Sequence, residues 1–344
     1  MRRGATELLA PALLLVAVAV IGHATSAARQ LEFGNALVKV AIVVSLYLFI
    51  GNSGVISFGH VSFVAVGAYL SGILTLEAPQ KSFVLPNLVP LLRDHHVGTP
   101  LSLLLAAAIG GSYALLVGLP LMRLSGLPAG IATFAVLGIT YNVLRNWEKI
   151  GPAAQALPLV PESGIWTLLV GGLISILVAF AYQRSRFGRR LRATREDPAA
   201  AQAVGIDIYR QRLIAFALSG ALAGFAGGLL VHQLGSITTD QVYLELTFLT
   251  LAMLVVGGVS SLWGAVIGAL LISGLDSFLG DAENTVHIGF RLQLPTGTRL
   301  VTVGAIMALV LILRPSGLTG GKEFAPPRRH RRPAELPASS TSSV

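Results

Sequence analysis

The stretch FGNALVKVAIVVSLYLFI, residues 33–50, contains a single charged side chain, that of Lys39. About 20 consecutive apolar residues in a helix cross the hydrocarbon core of a bilayer. The stretch is therefore apolar enough and nearly long enough to be a transmembrane helix. The composition agrees, because 53% of the 344 residues are hydrophobic and 12% are charged, whereas soluble domains carry about 25% charged residues. Lipid is the expected solvent of this chain.

Apolar runs of the same kind recur on both sides of this stretch. They lie at 8–22, 33–50, 55–76, 101–119, 126–144, 164–182, 213–234, 246–258, 263–279 and 299–313. The sequence therefore predicts an all-α polytopic membrane protein with about ten transmembrane helices within residues 1–320. The runs 246–258 and 299–313 are short, so they are expected to be tilted, extended by flanking residues or partly re-entrant. The apolar patch between 77 and 100 contains several prolines, which favour a loop or a surface helix.

The lysines and arginines are concentrated in alternate connecting segments. With the N-terminus inside, the inside segments contain Arg2, Arg3, Arg123, eight arginines from Arg184 to Arg212, and the basic residues after Arg314. Lys and Arg are enriched in cytoplasmic loops of membrane proteins. We therefore expect a multi-pass protein of the bacterial inner membrane with both termini in the cytoplasm. The net charge of +9 then follows from topology, and no nucleic-acid partner is expected.

The two ends of the chain have compositions of their own. Residues 321–344 are basic and then rich in Pro, Ser and Ala. This composition cannot bury a core and predicts a disordered tail, whose arginines can meet anionic lipid headgroups. At the other end, MRR, the apolar run and HATSAA also resemble a cleavable signal peptide. Cleavage within residues 1–28 would leave nine spans and the same orientation for the rest.

Few side chains in the sequence could carry chemistry. It has no cysteine and no GxxxxGKS or GxxxxGKT phosphate-binding loop, so thiolate sites and P-loop ATP binding are not expected. Ionisable residues within apolar runs are functional candidates by default, and the clear cases are Lys39, His60 and Asp276. Lys39 and Asp276 lie toward the outer ends of their spans, so they can either snorkel outward or pair with each other if their helices touch. No catalytic, metal or cofactor site is predicted, so energy for pumping would come from another chain.

Two glycine-rich stretches resemble each other. GNSGVISFGHVSFVAVGAY at 51–69 and GGVSSLWGAVIGA at 257–269 each contain a glycine, a serine three residues later, and then a Gly-Ala pair. Glycine-broken segments in corresponding halves of a transporter indicate a pathway near a pseudo-symmetry axis, although tight helix packing produces the same pattern. The candidate pathway residues are Ser57, Gly59, His60, Gly67, Thr133, Gly258 and Ser261.

A short polar segment, REDPAAAQAVGI at 195–206, interrupts the apolar chain. Asp and Pro are preferred at the start of a helix, acidic residues suit its positive end, and glycine suits the left-handed residue after its last turn. A helix of about seven residues is predicted, which is too short to be stable alone. Its small side chains are expected to form a smooth face that docks on a partner. The candidate docking residues are Glu196, Asp197, Pro198, Ala200, Ala201, Val204 and Gly205.

The pattern Ala200-Ala201-x-x-x-Gly205, in a loop at 183–212, resembles the EAA motif of ABC importer permeases. The surrounding SRFGRRLRATREDPAAAQAVGI resembles the loop of LivM-type permeases of branched-chain amino-acid importers. Further blocks resemble the same family, in order from about residue 33 to residue 320. They are GNSGVISFGHVSFVAVGAY, RLSGLPAGIATFAVL, LIAFALSGALAGFAGGLL, VVGGVSSLWGAVIGALL and RPSGLTG. Each block is modest alone, but together they are specific.

The resemblance implies a type II-like ABC importer permease. Two permease subunits, usually this chain and a sister permease, would form the translocation pathway. Two ABC ATPase subunits would bind the short loop helix as a coupling helix, and a periplasmic binding protein would deliver the cargo. The chain itself would not be an enzyme. The implied cargo is a branched-chain or other hydrophobic amino acid.

The sequence departs from the family pattern at three places. Ala199 stands where many permeases have the glutamate that opens the EAA motif. The segment 150–161 reads IGPAAQALPLVP instead of a TGG-like block, and GLPAG contains Pro128. The segment GLPAG at 126–130 stands where the family has a glycine-tyrosine-phenylalanine-like segment. This change and the one at 150–161 lie near the presumed substrate path, so urea, short amides, other amino acids and aromatic acids stay open as cargo.

Two other functional classes fit the sequence less well than the importer does. A self-sufficient channel or secondary transporter would need ion-binding carboxylates within the membrane, and the apolar runs offer only Asp276. A membrane-embedded enzyme would need acidic, His or Ser groups clustered at one depth, and the sequence suggests no such cluster. The importer is therefore the leading hypothesis.

Overall fold

The computed structural model describes residues 2–159, 163–283, 286–287, 291–292, 295, 297–314, 316–321 and 323. Ten apolar helices form a bundle between two faces. They are α1 (Arg2–His23), α2 (Ala27–Ser53), α3 (His60–Thr75), α6 (Thr99–Leu121), α7 (Leu127–Asn146), α8 (Ile165–Arg184), α11 (Ile208–Leu234), α12 (Leu244–Gly257), α13 (Leu262–Glu283) and α14 (Thr298–Leu313). Within the described residues, eight of them are long and apolar enough to cross a membrane, while α3 and α14 are shorter. The all-α polytopic prediction is confirmed.

The remaining elements are short and lie in the connections. Four are helices, namely α4 (Ala78–Val84), α5 (Pro90–Arg93), α9 (Arg186–Glu196) and α10 (Pro198–Ala203). A 3-10 helix, Asp240–Val242, precedes α12. Strand β1 (Leu157–Pro158) pairs antiparallel with β2 (Ser236–Ile237), and β3 (Val286–His287) pairs antiparallel with β4 (Arg291–Leu292). These pairs are too small to be layers of the fold.

One face of the bundle collects the arginine-rich connections. Arg184 at the end of α8 pairs with Glu7 of α1 at 3.6 Å. Arg212 of α11 donates a hydrogen bond to the carbonyl of Leu124, between α6 and α7, at 3.4 Å. We call this the basic face, and it comprises segments 2–7, 51–54, 121–127, 184–208, 257–262, 313–314, 316–321 and 323. These are the connections that the charge pattern assigns to one side.

The opposite face collects the other connections, including the pair β1–β2. The segment between 77 and 100 forms α4 and α5 there, as its prolines indicate. Lys81 of α4 is completely buried and donates to the carbonyls of Leu92 and His95. Burial lowers the pKa of the Lys81 ammonium, and the nearby Asp94 carboxylate raises it in part. A buried ammonium thus holds this connection together.

The centre of the bundle is formed by α2, α3, α6 and α11. Gly67 of α3 lies against the backbone of Gly224 in α11, and Gly227 of α11 lies against the carbonyl of Val64 in α3. A Cβ atom at Gly67 or Gly227 would collide with the facing helix. Small residues allow membrane helices to approach closely and gain packing contacts. The position of Gly67 is therefore explained by helix crossing alone.

The outer helices leave apolar side chains uncovered. On α7, Ile131, Phe134 and Ile139 are exposed, and among the α14 side chains only Val303 is buried. A helix that is apolar on its outer side requires lipid or another subunit as its neighbour. Helices α7 and α14 thus mark the perimeter of this chain.

Two predicted spans end at glycines in the left-handed region. Gly54 has a φ of 72° and ends α2, and Gly258 has a φ of 123° and ends α12. Glycine adopts such values without the steric cost that a Cβ atom brings. Because α3 begins only at His60, the run 55–76 is not one continuous helix, and residues 54–59 are irregular. The two related stretches therefore share a helix end, a glycine turn and a following helix.

Candidate functional site

The arginine-rich loop at 183–212 begins with a helix that the sequence did not predict. The hydroxyl of Ser185 caps α9 by accepting a hydrogen bond from the amide of Gly188 at 3.2 Å. Leu191 and Thr194 of α9 are buried, and the helix packs on α2, α8 and α11. The strongly charged composition concealed a helix with one buried side. This helix anchors the loop to the bundle.

Helix α10 follows directly, and its predicted start and end are confirmed. The Asp197 carboxylate accepts a hydrogen bond from the amide of Ala200 at 2.9 Å, and Pro198 occupies the first turn. Gly205 is left-handed with a φ of 80°. The amide of Ile206 donates back to the carbonyl of Ala201 at 3.0 Å, which closes the helix as expected for a glycine-terminated end.

The exposed surface of α10 differs from the expected smooth face. Ala201 is 4% exposed because it points toward the bundle, whereas Val204 is 76% exposed. Ala200 is exposed, and so is Glu196 at the end of α9. Ala200, Ala201 and Val204 therefore do not share one outward face. The surface available to a partner consists of Ala200, Val204 and the acidic residues before them.

Arg195, in the last turn of α9, is a residue for which sequence reasoning proposed only a role in topology. Its guanidinium donates to the carbonyl of Gly51 at 2.6 Å and to the hydroxyl of Ser260 at 2.7 Å. These acceptors lie 144 and 65 residues away in sequence. In the sequence, Arg195 is marked only by its position two residues before the predicted cap Asp197. That position does not reveal which distant groups accept its hydrogen bonds.

Four candidate pathway residues lie together where α3 begins. The Nδ1 atom of His60 is 3.0 Å from the hydroxyl of Ser57, and Nε2 contacts the hydroxyl of Ser219 in α11. The Thr133 hydroxyl accepts a hydrogen bond from the amide of Phe58 at 3.1 Å. Gly59 lies against the Thr133 carbonyl. The irregular segment 54–59 and the start of α3 are thus fixed to α7 and α11.

Two more candidates lie at the turn between α12 and α13 on the basic face. The Ser261 hydroxyl accepts from the amide of Gly264 at 3.1 Å. Beyond α14 the chain returns to this turn, where the Thr319 hydroxyl donates to the carbonyl of Gly257 at 2.8 Å. Gly258 lies between these contacts. The candidates therefore occupy three separate places, which are the start of α3, the α3–α11 crossing at Gly67, and this turn.

Glu323 closes the same turn. Its carboxylate accepts from the amides of Leu262 at 2.8 Å and Trp263 at 3.2 Å, and from the Ser261 hydroxyl at 3.2 Å. Burial raises the pKa of Glu323, and these hydrogen bonds lower it only in part. Gly321 and Glu323 belong to the tail predicted as disordered, and they are placed against the bundle. The rest of 321–344 lies outside the described residues.

The predicted pair of Lys39 and Asp276 is confirmed. The Lys39 ammonium lies 2.7 Å from the Asp276 carboxylate, which also lies 2.8 Å from the Arg299 guanidinium. Arg299 additionally pairs with Glu245. These contacts join α2, α12, α13 and α14 toward the opposite face. Sequence reasoning missed Arg299 because it stands at the edge of an apolar run.

The charge of Asp276 is balanced by two cations, so it is not a free carboxylate for a coupling ion. Among the described residues, no group of three or more His, Cys, Asp or Glu could hold a metal ion. A multi-pass helical bundle with a short capped helix at one face and glycine-broken helices inside is the architecture of a membrane permease.

The comparisons with known proteins identify which permease family this is. The chain belongs to the family described as branched-chain amino acid transport system / permease component, which it matches over residues 34–312. It is 24% identical to the high-affinity branched-chain amino acid transport system permease protein LivM of Escherichia coli K12, over 82% of this chain and 68% of that protein. The resemblance to LivM-type permeases is thus confirmed. This chain is therefore an ABC importer permease and a multi-pass protein of the inner membrane.

Other relatives match over smaller parts. A probable branched-chain amino acid transport permease protein LivH of Methanocaldococcus jannaschii is 34% identical over 44% of this chain and 45% of its own length. The autoinducer 2 import system permease protein LsrC of Enterobacter sp. strain 638 is 30% identical over 62% of this chain and 63% of its own length. No solved structure matches the chain.

Proposed function

We propose that this chain is one of two permease subunits of an ATP-driven importer for branched-chain or other hydrophobic amino acids. The observation that carries the proposal is α10, a capped helix on the basic face that exposes Ala200 and Val204 and is anchored through α9. A six-residue helix gains stability from its anchor and from a partner, not from its own length. The ATPase-docking element in this proposal consists of α10 and the residues that flank it, with Glu196, Asp197, Pro198, Ala200, Ala201, Val204 and Gly205 as its members.

The two faces suggest where the partners bind. In this proposal the basic face and both termini are cytoplasmic, because positive charge marks that side. Two ABC ATPase subunits bind there and hydrolyse ATP, and this chain is not an enzyme. A periplasmic binding protein delivers cargo to the opposite face. A sister permease covers uncovered apolar surface such as that of α7 and α14, and lipid covers the rest.

The pathway in this proposal runs beside the glycine-broken helices. It is approached by Ser57, Gly59, His60 and Thr133 near the start of α3, by Gly67 at the helix crossing, and by Gly258 and Ser261 at the α12–α13 turn. All seven are buried in the isolated subunit. Access to them therefore depends on movement of the subunits relative to one another, which a docked element with two positions can drive.

The docking proposal is tested by charge substitution on α10. Val204→Arg places a bulky charge on the exposed side of α10, and it should reduce the amount of ATPase that co-purifies by at least tenfold, in proportion to a lost contact of a few kcal/mol. Phe83→Arg is the matched control, because Phe83 is 89% exposed on the opposite face. Equal ATPase recovery with both variants would contradict docking at α10.

The cargo needs a separate test, because LivM is named for branched-chain amino acids and LsrC for autoinducer 2. Proteoliposomes with the complete complex and its binding protein should take up radiolabelled leucine, isoleucine or valine in an ATP-dependent manner. Urea, a short amide, an aromatic acid and autoinducer 2 serve as alternative cargoes. If the complex takes up one of these compounds and none of the three amino acids, the proposed cargo is wrong, while the proposed permease role still holds.

A further inference from the structure

Arg195 connects three elements that the chain brings together only in the folded state. Its guanidinium contacts the end of α2 through the Gly51 carbonyl and the α12–α13 turn through the Ser260 hydroxyl. Its aliphatic part packs on Gly54, where a Cβ atom would lie 3.0 Å from Cγ of Arg195. Its own backbone lies one residue before Glu196, the last residue of α9. One side chain therefore touches both glycine turns of the related stretches.

The surroundings favour a fixed arginine at this place. A helix C-terminus carries partial negative charge and free carbonyls, which a cation stabilises. The end of α2 and the α12–α13 turn also touch directly, because a Cβ atom on Gly51 would lie 2.8 Å from the carbonyl of Val259. The Arg195 side chain is 29% exposed, so most of it lies against these two turns. A surface arginine needed only for charge would not require such contacts.

We propose that Arg195 is the positioning residue that transmits movement of α10 to α2 and to the α12–α13 turn. This inference rests on the proposed docking of α10 to an ATPase. Asp197, which caps α10, lies two residues after Arg195, so a displacement of α10 moves the backbone that carries the guanidinium. Its two hydrogen bonds convey that displacement to the end of α2, which the segment 54–59 with Ser57 and Gly59 follows, and to the α12–α13 turn with Gly258 and Ser261.

The geometry of the site requires arginine and not merely a cation. The guanidinium presents several donors in a rigid planar fork, so Nη1 and Nη2 serve acceptors on two different elements. The lysine ammonium is a single point charge on a flexible stem. Arg195→Lys should therefore retain one contact and only part of the coupling.

The test compares uptake with ATP hydrolysis in the complete complex in proteoliposomes, supplied with binding protein and the cargo it takes up. Arg195→Gln should leave ATPase recovery and ATP hydrolysis within twofold of wild type, while uptake per ATP falls at least tenfold. Arg195→Lys should restore part of that ratio. Arg192→Gln is the matched control, since Arg192 lies in the same helix and donates instead to the Gln183 carbonyl of α8 at 2.5 Å. Uptake per ATP in Arg195→Gln equal to that of the control would overturn the inference.

A second variant keeps the arginine and removes one acceptor. Ser260→Ala should lower uptake per ATP about threefold, and its effect should be non-additive with that of Arg195→Gln because the two groups share one hydrogen bond. Independent, additive effects would overturn the inference while leaving α10 docking in place. Failure of wild-type protein to retain any ATPase would instead overturn the proposed function, and this inference with it.

Discussion

His60 shows how a polar residue can serve the packing of this bundle. Its ring lies among Phe49, Phe63 and Phe216, and Ser219 in turn donates to the carbonyl of Ser45 in α2. A second pair of the same kind lies further along α3 and α11, where the Ser71 hydroxyl is 3.0 Å from Nε2 of His232. The two pairs are reversed, with histidine on α3 in one and on α11 in the other. Together they fix how far α3 can slide along α11.

We predict that His60→Leu destabilises the protein by about 1–3 kcal/mol, because the Ser57 hydroxyl is left in an apolar site without its histidine. Thermal unfolding of the purified subunit in detergent measures the effect. His96→Leu is the control, since His96 is exposed on the opposite face. Equal midpoints for the two variants would mean that the His60 contacts contribute nothing to stability.

At the scale of elements, a charge network holds the perimeter helix α14 to the bundle. Arg299 near its start pairs with Asp276 of α13 and Glu245 of α12, and its backbone amide donates a hydrogen bond to the Glu283 carboxylate at 2.8 Å. The apolar surface of α14 is largely uncovered, so these polar contacts at one end account for much of its attachment. The buried carboxylate of Asp276 serves Lys39 and Arg299 at once.

Asp276→Asn should therefore cost about 3–5 kcal/mol of unfolding free energy, because the mostly buried Lys39 ammonium loses the carboxylate that balances its charge, while Arg299 keeps only Glu245. Asp240→Asn is the matched control, since Asp240 pairs with Arg145 at 3.2 Å while both side chains are largely exposed. That exposed pair should contribute about 1 kcal/mol or less. Denaturation of both variants in detergent gives the comparison, and equal losses would show that the network is not buried in solution.

Glu323 forms a second polar attachment between elements, because its carboxylate accepts hydrogen bonds from the first residues of α13. Glu323→Ala should weaken the first turn of α13 by about 1 kcal/mol, as for the loss of a helix cap. Because burial raises the Glu323 pKa above its ordinary value of 4.5, the carboxyl binds its proton more tightly when Glu323 is attached to the turn than when it is detached. The attachment of Glu323 is then strongest below about pH 4.5, and it weakens as pH rises through the raised pKa of the attached carboxyl.

Hydrogen exchange of residues 257–265 measures this attachment. Glu323→Gln has no carboxyl to titrate, so the ratio of wild-type to variant exchange should rise with pH and then level off. A ratio that does not change with pH would contradict the predicted linkage. In Glu323→Ala, residues 257–265 should exchange faster than in the wild type and in Glu323→Gln at every pH.

At the scale of the whole molecule, two chemically different faces define an orientation in the membrane. The chain has no cysteine, so single introduced cysteines report cleanly on sidedness. Val204→Cys should react with a membrane-impermeant maleimide only from the cytoplasmic side, and Phe83→Cys only from the periplasmic side. Labelling of both from one side of sealed vesicles would contradict the proposed topology.

The sequence by itself determined features that depend on neighbours along the chain. Hydropathy located the membrane helices, because about 20 apolar residues in one run have no stable place in water. The positions of the arginines sorted the connections into two groups, and the folded chain gathers each group at one face. The start and end of α10 were also readable, because capping by Asp197 and termination at Gly205 involve contacts within a few residues.

Only the tertiary structure decided which distant residues meet. The acceptors of Arg195, the partners of Arg299 and the inward position of Ala201 all depend on helices far apart in sequence, and hydropathy carries no information on such pairs. Lys39 and Asp276 were an exception, since two ionisable groups within apolar runs have few possible partners other than each other. The division is physical: burial in lipid and helix capping act locally, whereas hydrogen bonds and ion pairs between helices depend on how the whole bundle packs.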